Sequence, residues 1–220
     1  MLTKNHAILT QEVKAHIDAD ALVRGTYWDE GAGKGCFIGC LAHSSDPKVL
    51  LDRFGFPIAL TRLCEGIFEA LPDDEGKAFF AAIPQAVGHD GKDLSLVVWK
   101  FLAAELRALP PQPDKIQAVI DPVIAGVGLL AEGRDWPAAA DAADAAYAAA
   151  YAADAAAYAA YAADAAAYAA DAAAYAADAA AYAAAYAAAY AAAYAARAAA
   201  DASAARIRQR DTLLQLISEA

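Results

Sequence analysis

Cysteine, methionine and histidine are scarce in this 220-residue chain, at three, one and four copies. Three cysteines cannot build a disulfide framework, and Met1 to Gln11 contains no charged-then-apolar leader, so the chain reads as a reduced, cytoplasmic protein. Bases are also in short supply. Seventeen Lys and Arg stand against 28 Asp and Glu, a net charge of −11, and no basic patch breaks the acidic surplus. That balance excludes direct capture of nucleic-acid phosphates. The short cluster Arg206, Arg208 and Arg210 is ordinary for a helix end, where cations favour the dipole. No run is suited to spanning a membrane, because the one segment long enough is mostly Ala and carries regularly spaced Asp. Sustained period-two alternation is missing too, so nothing demands a sheet and the chain reads as all-α.

The longest absence is local. From Ala138 to Ala200 there is no Gly, Pro, Ser or branched residue, only 46 Ala, ten Tyr, six Asp and Arg197. Ala has the highest helix propensity, and nothing in the tract terminates a helix or competes for its backbone. The pattern predicts one very long helix capped by Asp135, with Trp136 and Pro137 in its first turn. The chain then divides into a globular helical domain over 1–134 and a long alanine-rich helix over 135–220. A helix of about 80 residues would be about 120 Å long. A compact domain of the preceding size has a radius of gyration of only about 14 Å. The helix must project, bend back, or be covered by another copy of itself.

Helical spacing places every tract Tyr within a sector of about 140°, with most Asp at its flank and bare Ala opposite. Tyr161, Tyr168, Tyr175 and Tyr182 repeat every seven residues, as do Asp164, Asp171 and Asp178; Tyr186, Tyr190 and Tyr194 then follow every four. A period of seven drifts about 20° one way and a period of four about 40° the other, so the stripe veers and swings back. An unpaired Asp row is too costly to bury in a leucine-type seam. The bare Ala face admits a close helix neighbour, whereas Tyr158, Tyr161, Tyr168, Tyr175, Tyr182 and Tyr186 with Asp164, Asp171 and Asp178 offer plates and carboxylates to a ligand or partner. Codon blocks of this kind also expand by slippage, and the plain alternative is a tolerated spacer.

Large apolar residues are dense from Ile8 to Leu130 and return only at Ile207, Leu213, Leu214, Leu216 and Ile217. Punctuation between Ile8 and Leu130 predicts a bundle of short helices. Thr10 is placed to cap a helix running through Val13, Ile17 and Leu22 to Gly25, and a polar Gly-rich loop follows to Gly35. Further helices run from Asp46-Pro47 to Gly55, from Pro57 to Pro72, from Asp73 to Pro84, from Asp93 or Ser95 to Leu109, and from Asp114 onward with a kink at Pro122. Gly31 to Gly35 is not a phosphate loop: Gly35 follows Lys34 where Ser or Thr belongs, and Trp28 occupies the position of the first Gly.

The sharpest chemical segment is Gly35-Cys36-Phe37-Ile38-Gly39-Cys40-Leu41-Ala42-His43-Ser44-Ser45. On a helix, Cys36, Cys40 and His43 share one face. They could hold zinc, the fourth ligand coming from His6, His16, His89 or Asp46. Alternatively, Cys36 at a helix N-terminus could be a nucleophile with His43 as its base. The plain reading is buried packing, since free Cys is among the most buried residues. His89 reads as a loop residue, Trp99 as core, and Tyr27-Trp28-Asp29-Glu30 as an aromatic and acidic lip.

The segments G-T-Y-W, G-K-G-C-F-I-G-C-L-A-H-S, I-F-E-A-L-P, A-A-I-P and D-L-S, followed by the Ala-rich tail and L-L-Q-L-I, resemble a family of uncharacterised phage and bacterial proteins. Their aromatic-studded tails are similar in style to immunity proteins. The resemblance implies no established activity; it implies a place in phage–host conflict or toxin neutralisation. Taken together, the sequence reads as a non-enzymatic interaction protein, a homo-oligomer through its Ala-rich helix or a binder of a protein partner, with no nucleic acid and no membrane. The alternative is a small thiol- or zinc-dependent enzyme or metal protein centred on Cys36, Cys40 and His43. No cofactor is required by the first reading, and zinc is the one cofactor candidate of the second.

Overall fold

The computed structural model describes residues 2–109, 114–137 and 202–220. Among them the chain is mostly helical, with α1 (His6–Asp18), α2 (Phe37–Ala42), α3 (Lys48–Phe54), α4 (Ile58–Ala70), α5 (Asp73–Val87), α6 (Val97–Arg107), α7 (Asp114–Ala131) and α8 (Ala202–Glu219). One two-residue hairpin interrupts them: β1 (Trp28–Asp29) pairs antiparallel with β2 (Lys34–Gly35), Trp28 opposite Gly35. It forms inside the polar loop because Gly33 adopts φ 63° and the Asp29 carboxylate accepts the Ala32 N–H, which closes the turn. No described helix is long and apolar enough to cross a membrane.

Most helix boundaries follow the punctuation. Pro47 precedes α3 and Gly55, at φ 73°, ends it; Pro57 precedes α4; three acids occupy the first turn of α5, where the dipole favours them. Other boundaries differ from the sequence expectation. Thr10 does not cap α1: the helix begins at His6, and the Thr10 hydroxyl donates back to the His6 carbonyl. The same helix stops at Asp18, before left-handed Asp20, so Leu22 lies outside it and bridges to Gly35. Pro84 does not end α5 but sits in its last turn, leaving its own carbonyl to accept the Gly88 N–H at 2.9 Å.

The described residues form two compact units, the first from residues 2–95 with 202–220 and the second from residues 96–109 with 114–137. In the first unit every residue of α2 is buried, and α1, α3 and α4 pack around it. Phe37 is the centre of the core, stacked on Phe79 at 5.9 Å and edge-on to Phe80 at 5.5 Å. α8 packs on α4 and α5, burying Ala205, Leu213 and Ile217. Arg206 donates to the Ala70 carbonyl at the C-terminal end of α4, Arg210 pairs with Glu75, and Lys92 Nζ donates to the Ile217 and Ser218 carbonyls at 3.0 and 2.6 Å. Cations thus close two helix C-termini. Arg206 and Arg210 lie well inside α8 and serve neighbouring helices, not the end of their own.

In the second unit α6 packs on α7. After α7 the chain turns at Gly133, φ 72°, and returns Trp136 over Gly126, where a Cβ would lie only 1.9 Å from the indole. Asp135 and Trp136 are not helical. Residues 138–201 of the expected long helix, and with them Tyr158, Tyr161, Tyr168, Tyr175, Tyr182, Tyr186, Asp164, Asp171 and Asp178, lie outside the described residues, and residues 202–219 of it are α8.

Two glycines hold α2 in place. A Cβ on Gly39 would lie 1.3 Å from the Tyr27 carbonyl oxygen, and one on Gly35 2.2 Å from the same atom. The Tyr27 backbone therefore crosses directly over the glycines of the G-C-x-x-G-C segment, and that same carbonyl accepts the Cys36 N–H at 3.2 Å. Gly39→Ala is expected to destabilise the first unit by about 3 kcal/mol or more, since backbone rather than a flexible side chain must give way. Gly31→Ala, whose Cβ would meet only the Asp29 carboxylate at 3.4 Å, is expected to leave the urea midpoint nearly unchanged.

Candidate functional site

α1 and the C-terminal end of α2 build a polar cluster from residues distant in sequence. Glu12 and His16 are four apart on α1 and so share a face. His43 ends α2 in the left-handed region at φ 52°, which turns its ring off the helical path. The two imidazoles meet with Nε2 atoms 3.3 Å apart and ring centres at 5.3 Å. Glu12 Oε2 stands 3.9 Å from His43 Nε2.

Neighbouring groups fix each member. His16 Nδ1 lies 2.8 Å from the Glu12 carbonyl oxygen, an acceptor only, so in the neutral ring Nδ1 carries the proton and Nε2 the lone pair. Trp28 on β1 stacks on His43 at 4.6 Å with 19° between the planes, and meets His16 edge-on at 6.0 Å. Arg53 on α3 donates to Glu12 Oε1 at 2.6 Å and to the Leu41 carbonyl at 2.8 Å, so one guanidinium holds the carboxylate and the end of α2 together. His16 is buried, whereas the His43 side chain is 47% exposed, which opens the cluster to solvent on that side.

The cysteines occupy a different place. Cys36 precedes α2 in extended conformation, and its thiol points at the Tyr27 carbonyl at 3.8 Å. The Cys40 thiol donates to Gly35 O at 3.2 Å, and Cys64 on α4 is fully enclosed. Glu65 on α4 accepts the Ile38 N–H at 2.9 Å, satisfying one of the free donors at the start of α2. Burial first, then the neighbouring Glu65 carboxylate, pushes the Cys36 thiol well above the ordinary range. Burial pushes Cys40 up to about 12 and raises Cys64 as well. All three are thiols near neutrality.

This arrangement corrects the expectation for the segment. α2 is only six residues long, so Cys36 and His43 lie outside it at opposite ends, about 10 Å apart at 1.5 Å per residue. His43 is therefore not the base for Cys36, and the dipole does not yield a thiolate because burial and Glu65 outweigh it. Among the described residues, two groupings bring three ligating atoms within 4.8 Å of one another, Glu12 with His16 and His43, and Cys36 with Glu65 and Glu69; neither joins Cys36, Cys40 and His43. Of the other ligands considered, His6 bonds the Pro84 carbonyl, His89 the Asp90 carbonyl, and Asp46 the Lys48 N–H. His16 alone reaches His43. Glu12, Arg53 and Glu65 are not singled out by the sequence; the i, i+4 spacing of Glu12 and His16 within the helix expected through Val13 and Ile17 is the one signal the sequence carries.

Comparison with known proteins finds no matching family model, no matching curated protein and no matching solved structure.

A thiol reagent at neutral pH is expected to label Cys36, Cys40 and Cys64 slowly in the folded chain and all three rapidly in denaturant. Burial holds the Glu65 carboxyl above its ordinary value of 4.5, so protonation favours the folded state and ionisation opposes it as pH rises through and beyond that value. Glu65→Gln keeps an acceptor for Ile38, so its melting temperature relative to the parent chain is expected to rise between pH 4 and pH 7.

Proposed function

We propose that this chain is a non-enzymatic interaction protein whose Ala/Tyr/Asp tract carries self-association or grips a protein partner. The observation that carries the reading is the pattern over residues 138–200: as a helix, the tract has one Tyr and Asp face and one bare Ala face. Neither face resembles a leucine seam. Close approach of helices through small residues and contact through amphipathic aromatic plates are the interactions such faces favour.

The flanks support it as well. At the N-terminal side Trp136 is buried over Gly126, and at the C-terminal side α8 is fastened to α4 by Arg206, to α5 by Arg210 and to the loop after α5 by Lys92. The tract thus runs, in sequence, between two folded segments. The resemblance to phage and bacterial proteins with immunity-type tails supplies the setting, conflict between phage and host or neutralisation of a toxin. The competing thiol enzyme has less support, because its nucleophile is a buried thiol separated from its base by α2.

Light scattering of the full chain after size exclusion is the test, with Tyr161, Tyr168, Tyr175 and Tyr182 replaced together by Ala. The parent chain is expected to run as an oligomer, or to cross-link to a host protein, and the quadruple variant to lose that association with an unchanged melting temperature. A monomer at every concentration, with the same cross-linked products from both chains, contradicts the reading.

A further inference from the structure

We propose that Glu12, His16 and His43 form a binding site for one divalent transition-metal ion, zinc being the best match. The geometry between the two imidazoles is the first reason. Two nitrogens bound tetrahedrally to zinc at about 2.0–2.1 Å stand about 3.3 Å apart, and His16 Nε2 and His43 Nε2 are 3.3 Å apart. An octahedral ion with the same bonds would bring adjacent nitrogens to about 2.9 Å, so the spacing favours four-coordination.

The second reason is that the surroundings are those of ligands held ready. His16 donates from Nδ1 to a backbone carbonyl, which fixes the tautomer and directs the Nε2 lone pair at His43. Trp28, stacked on the His43 ring, fixes its plane. Arg53 occupies Oε1 of Glu12 and leaves Oε2 facing the imidazoles, 3.9 Å from His43 Nε2. All three ligating atoms already lie within 4.8 Å of one another, so a side-chain adjustment of Glu12 completes the set. Two nitrogens and one carboxylate oxygen leave the fourth position open on the exposed side of His43. Three protein ligands with one open position is the pattern of zinc sites that accept water or an exogenous ligand.

The site differs from the one expected from sequence. It takes His43 from that segment, replaces both cysteines with residues of α1, and places the ion beyond the C-terminal end of α2, on the solvent side. It is also independent of the Ala/Tyr/Asp tract.

The test is titration of untagged, chelator-treated full chain with Zn2+ by calorimetry, and with Co2+ by visible absorption. One equivalent of each metal is expected, with the intense absorption of four-coordinate Co2+ and a change in tryptophan fluorescence from Trp28. His43→Ala and the more conservative His16→Gln are each expected to weaken Zn2+ binding by about 100-fold or more, beyond the effect usual for a residue that only orients a ligand. Arg53→Lys is expected to weaken it by about 10-fold. Cys36→Ser is expected to change nothing. Circular dichroism of each variant verifies the fold, and if either histidine variant is unfolded, Glu12→Gln serves in its place with the same expectation. No stoichiometric binding by the parent chain overturns the proposal. So does binding retained in folded His16→Gln/His43→Ala, or binding lost in folded Cys36→Ser.

Discussion

The crossing of the Tyr27 carbonyl over Gly35 and Gly39 is the contact on which the first unit depends. With no side chain at either glycine, backbone lies against backbone, and the same carbonyl accepts the Cys36 N–H at the entrance to α2. That closeness sinks α2 completely, which lets Phe37 reach Phe79 and Phe80 and encloses the Cys36 and Cys40 thiols. It also carries Trp28, the next residue, to the far end of the helix, where it stacks on His43. A single steric condition therefore sets both the inert side of the segment and its polar side.

Electrostatics divide those two sides. Glu65 reaches the start of α2 from α4 and takes a backbone donor there, at the cost of a desolvated carboxyl and of any tendency of Cys36 to ionise. Glu12 reaches the other end from α1 and is held by Arg53, which also takes the Leu41 carbonyl. Each carboxylate and its partners secure one terminus of a helix too short to be stable alone. The histidines cluster where solvent begins, and the thiols where it ends.

The sequence was most informative where local chemistry decides the outcome. Pro47 and Gly55 bound α3, Pro57 opens α4, and Asp114 opens α7, because ring geometry and left-handed glycine act within a turn. It was least informative where tertiary packing overrides local preference. Pro84 is tolerated in the last turn of α5, with Ile83 and Pro84 both buried, so a breaker on paper is a core residue in place. The apolar return at Leu213 and Ile217 was visible, but its target was not: α8 docks on helices more than a hundred residues earlier. In the Cys and His segment the residues were legible and the helix length was not. Once His43 turns left-handed, its nearest chemical neighbour becomes His16 and not Cys40.

The most direct measurement of this arrangement is the proton NMR spectrum of the His43 ring. Stacked 4.6 Å from Trp28 and 5.3 Å from His16, its ring protons should be shifted upfield by the indole, with nuclear Overhauser contacts to both rings. His16→Ala should remove only the second set. Random-coil shifts for His43, or contacts to Cys36 in place of Trp28, would contradict the packing of α2 on which the rest is built.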